Sequence, residues 1–234
     1  MNLLNILLFV VGVSSAPTWQ SQSDAAVSSN VFWFLPNAPI TRYQVTVVVP
    51  AVSPGKGLHG VWPGLQNQAG SFVYQSVLAD SNSPGAWQFW VEYCCNPDYK
   101  AQAIKVYPGD AITSTFTTDG AGLWTDSWSL TPGPQGLSAG QTAQSGSTSQ
   151  NFADRGALIR GLLAIELQQN GAWDFGAVQW SNIAITASTT APWCATGSSY
   201  AVSPNFQYSI SAGTQSTNGG STTCTFPNVR FNGP

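Results

Sequence analysis

The chain has 234 residues, of which only 7% are charged, with seven Lys plus Arg against ten Asp plus Glu, a formal net charge of −3 and a pI near 4.7. So little positive charge excludes nucleic acid and anionic membrane surfaces as partners, because both need clustered cations. The length suits one large core, and the low charge density suits work in acid, where few carboxylates remain to be protonated and self-repulsion stays small.

The first sixteen residues, MNLLNILLFVVGVSSA, hold an apolar run from Leu3 to Val13 and then Ser14, Ser15 and Ala16. This is the layout of a cleavable secretory signal, and the run is shorter than the roughly 18 apolar residues of a membrane anchor. The expectation is a secreted, extracellular protein with its signal over 1–16 and a single domain over 17–234; no other segment is long and apolar enough to span a bilayer.

From Val45 to Ile185 the apolar residues come in short runs broken by Gly, Pro, Asn and Ser. The runs predict strands over 43–50, 59–66, 71–79, 86–94, 100–107, 110–118, 124–132, 157–168 and 178–187. Between them stand NQAG, SNSPG, NPDY, PGD, TDGAG and QNGAW, whose residues tolerate tight turns. Short strands with regular turns predict an all-β fold, a sandwich of two antiparallel sheets. The Gly/Ser/Gln/Thr-rich segment 133–156 reads as a long surface loop, and the tail after Ala187 as an irregular strap stapled by cysteine.

The four cysteines, Cys94, Cys95, Cys194 and Cys224, are an even number in a chain expected to be exported, which points to disulfides. Cys194–Cys224 is the favoured pairing, with the adjacent Cys94 and Cys95 bonded to each other or free. A zinc site is a poor fit, since His59 is the only histidine and no Cys-x-x-Cys spacing occurs.

Side-chain parity then sorts the strands into faces. In LLAIELQ, 162–168, Leu163, Ile165 and Leu167 form a core stripe, while Leu162, Ala164, Glu166 and Gln168 face the other way. Trp87, Phe89, Val91 and Tyr93 likewise oppose Gln88, Trp90, Glu92 and Cys94, and Gln75 shares a face with Val73 and Val77. Glu92 and Glu166 are the only glutamates in the chain. A carboxylate among apolar neighbours is costly when charged, which raises its pKa toward the range a general acid or base needs. The plain alternative is a glutamate on a solvent face. A Ser/His/Asp triad would depend on His59, and no Gly-x-Ser-x-Gly elbow is present. Glu92 and Glu166 could serve as a glycosidase pair, and some of the ten tryptophans as sugar platforms, although core packing accounts for most of them.

The run VWPGLQNQAGSFVYQSVL, followed by GAWQFWVEYCCNPDY, IKVYPGDAI and later LLAIELQ, resembles the succession of motifs in the fungal glutamic endopeptidases, the eqolisins, from about Val45 to Ile185. The resemblance implies a concanavalin A-like sandwich (jelly roll) with a concave cleft and acid-optimal peptide hydrolysis. Gln75 would be the catalytic glutamine and Glu166 the catalytic glutamate, facing each other and sharing one water. Trp62, Gln66, Trp90 and Glu92 would line the substrate cleft, with Gln66 standing where the turn motif has an acid. A protein or peptide substrate, no cofactor, no metal and a monomer are expected. The rivals are a carbohydrate-binding or carbohydrate-active sandwich acting on polysaccharide, a relative of the peptidases without activity, and a non-catalytic secreted protein.

Overall fold

The predicted alternation resolves, in the computed structural model, into two eight-stranded sheets whose pairings are antiparallel throughout. The structure describes residues 27–80, 85–94, 98–194 and 199–233, so the expected signal over 1–16 lies outside the described residues. In chain order the strands are β1 (Ser28–Phe34), β2 (Ile40–Val48), β3 (Leu58–Asn67), β4 (Val73–Ala79), β5 (Gln88–Cys94), β6 (Tyr99–Lys100), β7 (Ile104–Lys105) and β8 (Ala111–Thr118). They continue as β9 (Leu123–Thr131), β10 (Gln144–Asn151), β11 (Leu158–Gln168), β12 (Val178–Ala187), β13 (Tyr200–Ser203), β14 (Gln207–Ile210), β15 (Thr214–Asn218) and β16 (Ser221–Gly233).

The first sheet runs β13-β1-β11-β3-β4-β5-β6 with β7 also on β5, and the second runs β10-β9-β8-β2-β12-β16-β14 with β15 also on β16. Their inner faces meet in one apolar core. Phe32, Leu65, Tyr74, Phe89 and Leu163 come from the first sheet, and Tyr43, Phe116, Trp180, Phe226 and Phe231 from the second. Burying such large aromatic and aliphatic side chains, at about 25 cal/mol per Å² of apolar surface, holds the layers together. Tyrosines also tie the layers by hydrogen bonds, the Tyr43 hydroxyl donating to the Leu162 carbonyl at 3.0 Å and the Tyr74 hydroxyl to the Thr148 carbonyl at 2.9 Å.

Parity holds on the central strands. Leu163, Ile165 and Leu167 of β11, and Trp87 with Phe89 and Val91 at β5, point into this core. The opposite side chains of the first sheet build a second, smaller apolar cluster from Val31, Trp62, Val77, Trp90, Leu162 and Ala164. That second cluster is why LLAIELQ is apolar on both faces: β11 has the sandwich core beneath it and the floor of a cleft above it.

Two expectations fail here. The segment 133–156 is not one long loop: it contains a five-residue helix, α1 (Pro134–Ser138), strand β10 and a 3₁₀ turn at Ala153–Arg155. In QSGSTSQN nearly every residue is polar or Gly, so a period of two leaves no hydropathy signal, and the strand is specified instead by its ladder with β9. Gly146 is required in that ladder, since a Cβ there would lie 2.8 Å from the Trp128 ring. The tail after Ala187 is also not an irregular strap, for β16 pairs along most of β12. Its buried residues are Thr222, Cys224 and Phe226 and then Val229, Phe231 and Gly233, a change of parity at Pro227–Asn228 that hides the strand from a period-two reading. The Cys194–Cys224 disulfide pins this strand to the segment that follows β12. Cys94 is also disulfide-bonded, and Cys95 lies outside the described residues.

Candidate active site

The outer face of the first sheet carries a cleft of about 770 Å³. Its position follows from cross-strand rows. One row runs Ser29–Glu166–Gly60–Ala79, the next Val31–Ala164–Trp62, and Val77 faces Trp90 in continuation of it. A third runs Trp33–Leu162–Gly64–Gln75–Glu92–Lys100. Gln75, Glu166, Trp62, Gln66 and Glu92 all line the cleft. The only two glutamates of the chain therefore open into one hollow, from β5 and β11.

Gln75 and Glu166 are not hydrogen-bonded to each other. Gln75 lies in the row of Gly64, and across β3 its counterpart on β11 is Leu162; Glu166 lies in the row of Gly60, four residues further along β3 (64 − 60). At about 3.4 Å per residue that offset is roughly 14 Å along the strand. The Trp62 row fills the interval.

Each group has its own partners. The Gln75 Nε2 donates to Glu92 Oε1 at 3.2 Å, and the Trp90 Nε1 donates to Glu92 Oε2 at 2.6 Å. The Trp62 Nε1 donates to Glu166 Oε2 at 3.2 Å, and the Gln168 Nε2 donates to Glu166 Oε1 at 2.7 Å. Trp90, expected to line the cleft, is fully buried beneath it and acts on Glu92 through its N–H. Its even parity placed it on the correct face, but its indole is covered by the floor it helps to build. Gln66 is at the cleft wall and accepts from Arg160 Nη1 at 3.1 Å.

Burial pushes the Glu92 carboxyl up to about 6, with a further upward push from Glu166; the Trp90 hydrogen bond, Lys100 and the Gln75 amide act in the opposite direction. Below that pH Glu92 is neutral and can donate a proton; above it both its oxygens accept. Gly64 keeps the floor open beside Gln75, since a Cβ there would lie 2.8 Å from the Tyr74 carbonyl oxygen and 3.2 Å from the Gln75 Cβ. Two residues of the site were not singled out from the sequence. Gln168 shares the parity of Glu166, two positions on, and that spacing was the available signal. Lys100, whose Nζ lies 3.7 Å from the centre of the Trp90 ring, is brought there only by the pairing of β5 with β6.

His59, on which a Ser/His/Asp triad would depend, is fully buried in β3, with its Nδ1 2.8 Å from Asp80 Oδ2 and its backbone N–H donating to Asp80 Oδ1 at 2.8 Å. It lies outside the cleft lining. Among the described residues no three of His, Cys, Asp and Glu gather where they could hold a metal ion, and no helix is long and apolar enough to cross a membrane.

No protein-family model matches the chain, and no curated protein matches it either. Solved structures do. Scytalido-glutamic peptidase, solved with a peptide-based transition-state analogue, superposes with a TM-score of 0.53 at 15% identity over 86% of this chain and 99% of that one. A second structure of that peptidase, with a transition-state analogue inhibitor, matches with a TM-score of 0.53 at 17% identity over the same shares. SCP-B, a member of the eqolisin family in complex with the tripeptide Ala-Ile-His, matches with a TM-score of 0.51 at 15% identity over 86% of this chain and 99% of that one. At such identities the likeness is one of fold: the chain has the two-sheet sandwich seen in the eqolisins.

Proposed function

We propose that the protein is a secreted, acid-active peptide hydrolase whose reaction takes place over Trp62, between Glu166 on one side and the Gln75–Glu92 pair on the other. The observation that supports this most directly is the convergence of the chain's two glutamates on one cleft, each held by an indole N–H and a glutamine amide. Neither carboxyl is explained by packing, and both are kept in fixed orientation. A fold shared with peptidases whose structures hold a peptide-based transition-state analogue or a tripeptide supports a peptide as the substrate.

In this reading the Glu166 carboxylate takes a proton from a water as the water oxygen bonds to the scissile carbonyl carbon. The oxygen of that carbonyl becomes an oxyanion. An amide nitrogen carries two hydrogens, so Gln75, with one on Glu92, has a second to give to the oxyanion. The C–N bond then breaks and Glu166 returns its proton to the leaving amine, so no proton is gained or lost. Because Gln75 and Glu166 stand in different rows, the scissile peptide lies lengthwise along β3, and the two groups act on different atoms of it instead of sharing a single water.

The test is cleavage of a denatured protein at acid pH by the purified mature chain, compared with Glu166→Gln and Gln75→Ala. Each variant should fold as wild type by circular dichroism. Loss of the general base should lower the rate by about 10²–10⁴-fold. Undiminished cleavage by Glu166→Gln would remove the assignment, and retention on an insoluble polysaccharide without proteolysis would favour the carbohydrate-directed rival, for which Glu92 and Glu166 would be the paired carboxyls.

A further inference from the structure

We infer that Lys100 is a positioning residue for this cleft: its ammonium, stacked on the Trp90 indole, strengthens the N–H that anchors Glu92, and so fixes the Gln75 amide that Glu92 accepts. Four groups stand in sequence. The Lys100 Nζ is 3.7 Å from the Trp90 ring centre, the Trp90 Nε1 donates to Glu92 Oε2 at 2.6 Å, and Glu92 Oε1 receives the Gln75 Nε2 at 3.2 Å. Strand pairing sets the spacing, because Gln75, Glu92 and Lys100 are consecutive members of one cross-strand row, while Trp90 faces Val77 in the row beside it.

The chemistry has a definite direction. A cation over the face of an indole is attracted by the ring's electron density. It draws that density away from the ring nitrogen and makes the N–H a stronger donor, and hydrogen bonds in series reinforce one another. A hydrogen bond to a charged acceptor is the strong kind, so the effect is largest when Glu92 is ionised. The plain alternative is that Lys100, exposed on a two-residue strand at the edge of the first sheet, only guards that edge against pairing with another chain. A guarding lysine would act on Glu92 only through its direct charge, with or without the Trp90 indole between them.

The charged groups acting on Glu92 are Lys100 from β6 and Glu166 from β11. From β4, Val73, Gln75 and Val77 line the same face and carry no charge. Lys105 on β7 pairs with Gln88 at the other end of β5 and lies 4.9 Å from the Tyr107 ring centre, which makes it a control of equal charge.

Because the chain has only two glutamates, protein labelled with ¹³C at the glutamate carboxyl gives one signal for Glu92 and one for Glu166, assigned with Glu92→Gln. Lys100→Gln should raise the titration midpoint of the Glu92 signal by about half a unit, the scale of an exposed charge pair. Lys100→Arg should restore it, since a guanidinium also stacks on an indole, and Lys105→Gln should leave it in place. For any cleavage activity, Lys100→Gln should lower kcat with KM little changed, by about three- to tenfold near pH 6 and above, where Glu92 is ionised, and by less in stronger acid. In a Trp90→Phe background, where only the direct charge of Lys100 on Glu92 remains, Lys100→Gln should move the midpoint less. A Glu92 midpoint that stays put in Lys100→Gln, that moves equally in Lys105→Gln, or that moves by the same amount with and without the indole N–H, overturns the inference. The consequence for kcat rests on the proposed hydrolase, but the carboxyl titration does not. A midpoint that moves as expected in a protein that cleaves nothing would uphold the relay and sink the peptidase.

Discussion

Gln75 and Glu92 face each other directly on neighbouring strands, and the amide of one is hydrogen-bonded to the carboxyl of the other at 3.2 Å. Glu92 is thereby the partner of Gln75, while Glu166 is served by Trp62 and Gln168.

The Glu92 carboxyl, raised by burial from an ordinary 4.5 to about 6, binds its proton more tightly in the folded chain than in the unfolded one. Its stabilisation is complete below about pH 4.5 and is lost as the pH rises through 6. The gap of about 1.5 units corresponds to about 2 kcal/mol. Glu92→Gln should flatten the fall in Tm between pH 4.5 and 6.5, read by calorimetry, and an unaltered slope would contradict the assignment.

Asp126 should make a larger contribution of the same sign. It is fully buried between the sheets, where it accepts from the Ser76 hydroxyl, its Oδ1 has no hydrogen-bond partner among the described residues, and burial raises it from 3.8 to about 7. Stability should be greatest below pH 4 and decline toward pH 7, by on the order of 4 kcal/mol. In Asp126→Asn the melting temperature should change little between pH 4 and 7.5, so that the variant overtakes wild type at neutral pH. Parallel curves for the two proteins would refute this.

Trp62→Phe keeps the aromatic floor and removes the N–H that Glu166 accepts at 3.2 Å. A hydrogen bond to a charged group contributes about 1.5–3 kcal/mol, so cleavage should drop roughly tenfold or more while the denaturant midpoint changes little. A variant as active as wild type would mean that Glu166 does not need this donor.

Gly64→Ala places a methyl group against the Tyr74 carbonyl and beside Gln75. Overfilling such a site costs about 1–3 kcal/mol. The variant should unfold at lower urea and bind a peptide-like inhibitor less tightly, measured by calorimetric titration. Normal affinity would show that the floor at Gly64 does not shape the cleft.

Cys194 and Cys224 close a loop with a sequence separation of 30. Loop-closure entropy for that length is about 3–4 kcal/mol, and replacing both by serine should lower stability by that order while leaving the cleft, which neither residue lines, competent to bind. Loss of binding at temperatures where the variant is folded would argue against this separation.

Much of this was legible in one dimension. Gly, Pro and Asn punctuation with period-two runs marked the central strands, and parity set Glu92 and Glu166 each opposite a core stripe and Gln75 on the face of Val73 and Val77, because a strand turns alternate side chains the same way wherever it ends up. Trp62 came from the family resemblance. It could not mark β10, whose residues are polar on both faces, or β16, whose alternation changes phase at Pro227–Asn228. Glu166 beside apolar neighbours stands out as an anomaly, whereas Gln168, on the same face two residues on, becomes its partner only in the folded strand.

The rows were a different matter. Which residue of β11 stands across β3 from Gln75 depends on strand register between segments far apart in the chain, and local sequence leaves register open until both faces are packed. Sequence therefore determined the layered class and the outward parity of each glutamate, and favoured the Cys194–Cys224 pairing that the fold contains. Only the folded sheets decided that Gln75 belongs with Glu92, that Trp90 acts from beneath the floor and that Lys100 reaches it, because those relations are set by the offset of one strand against the next.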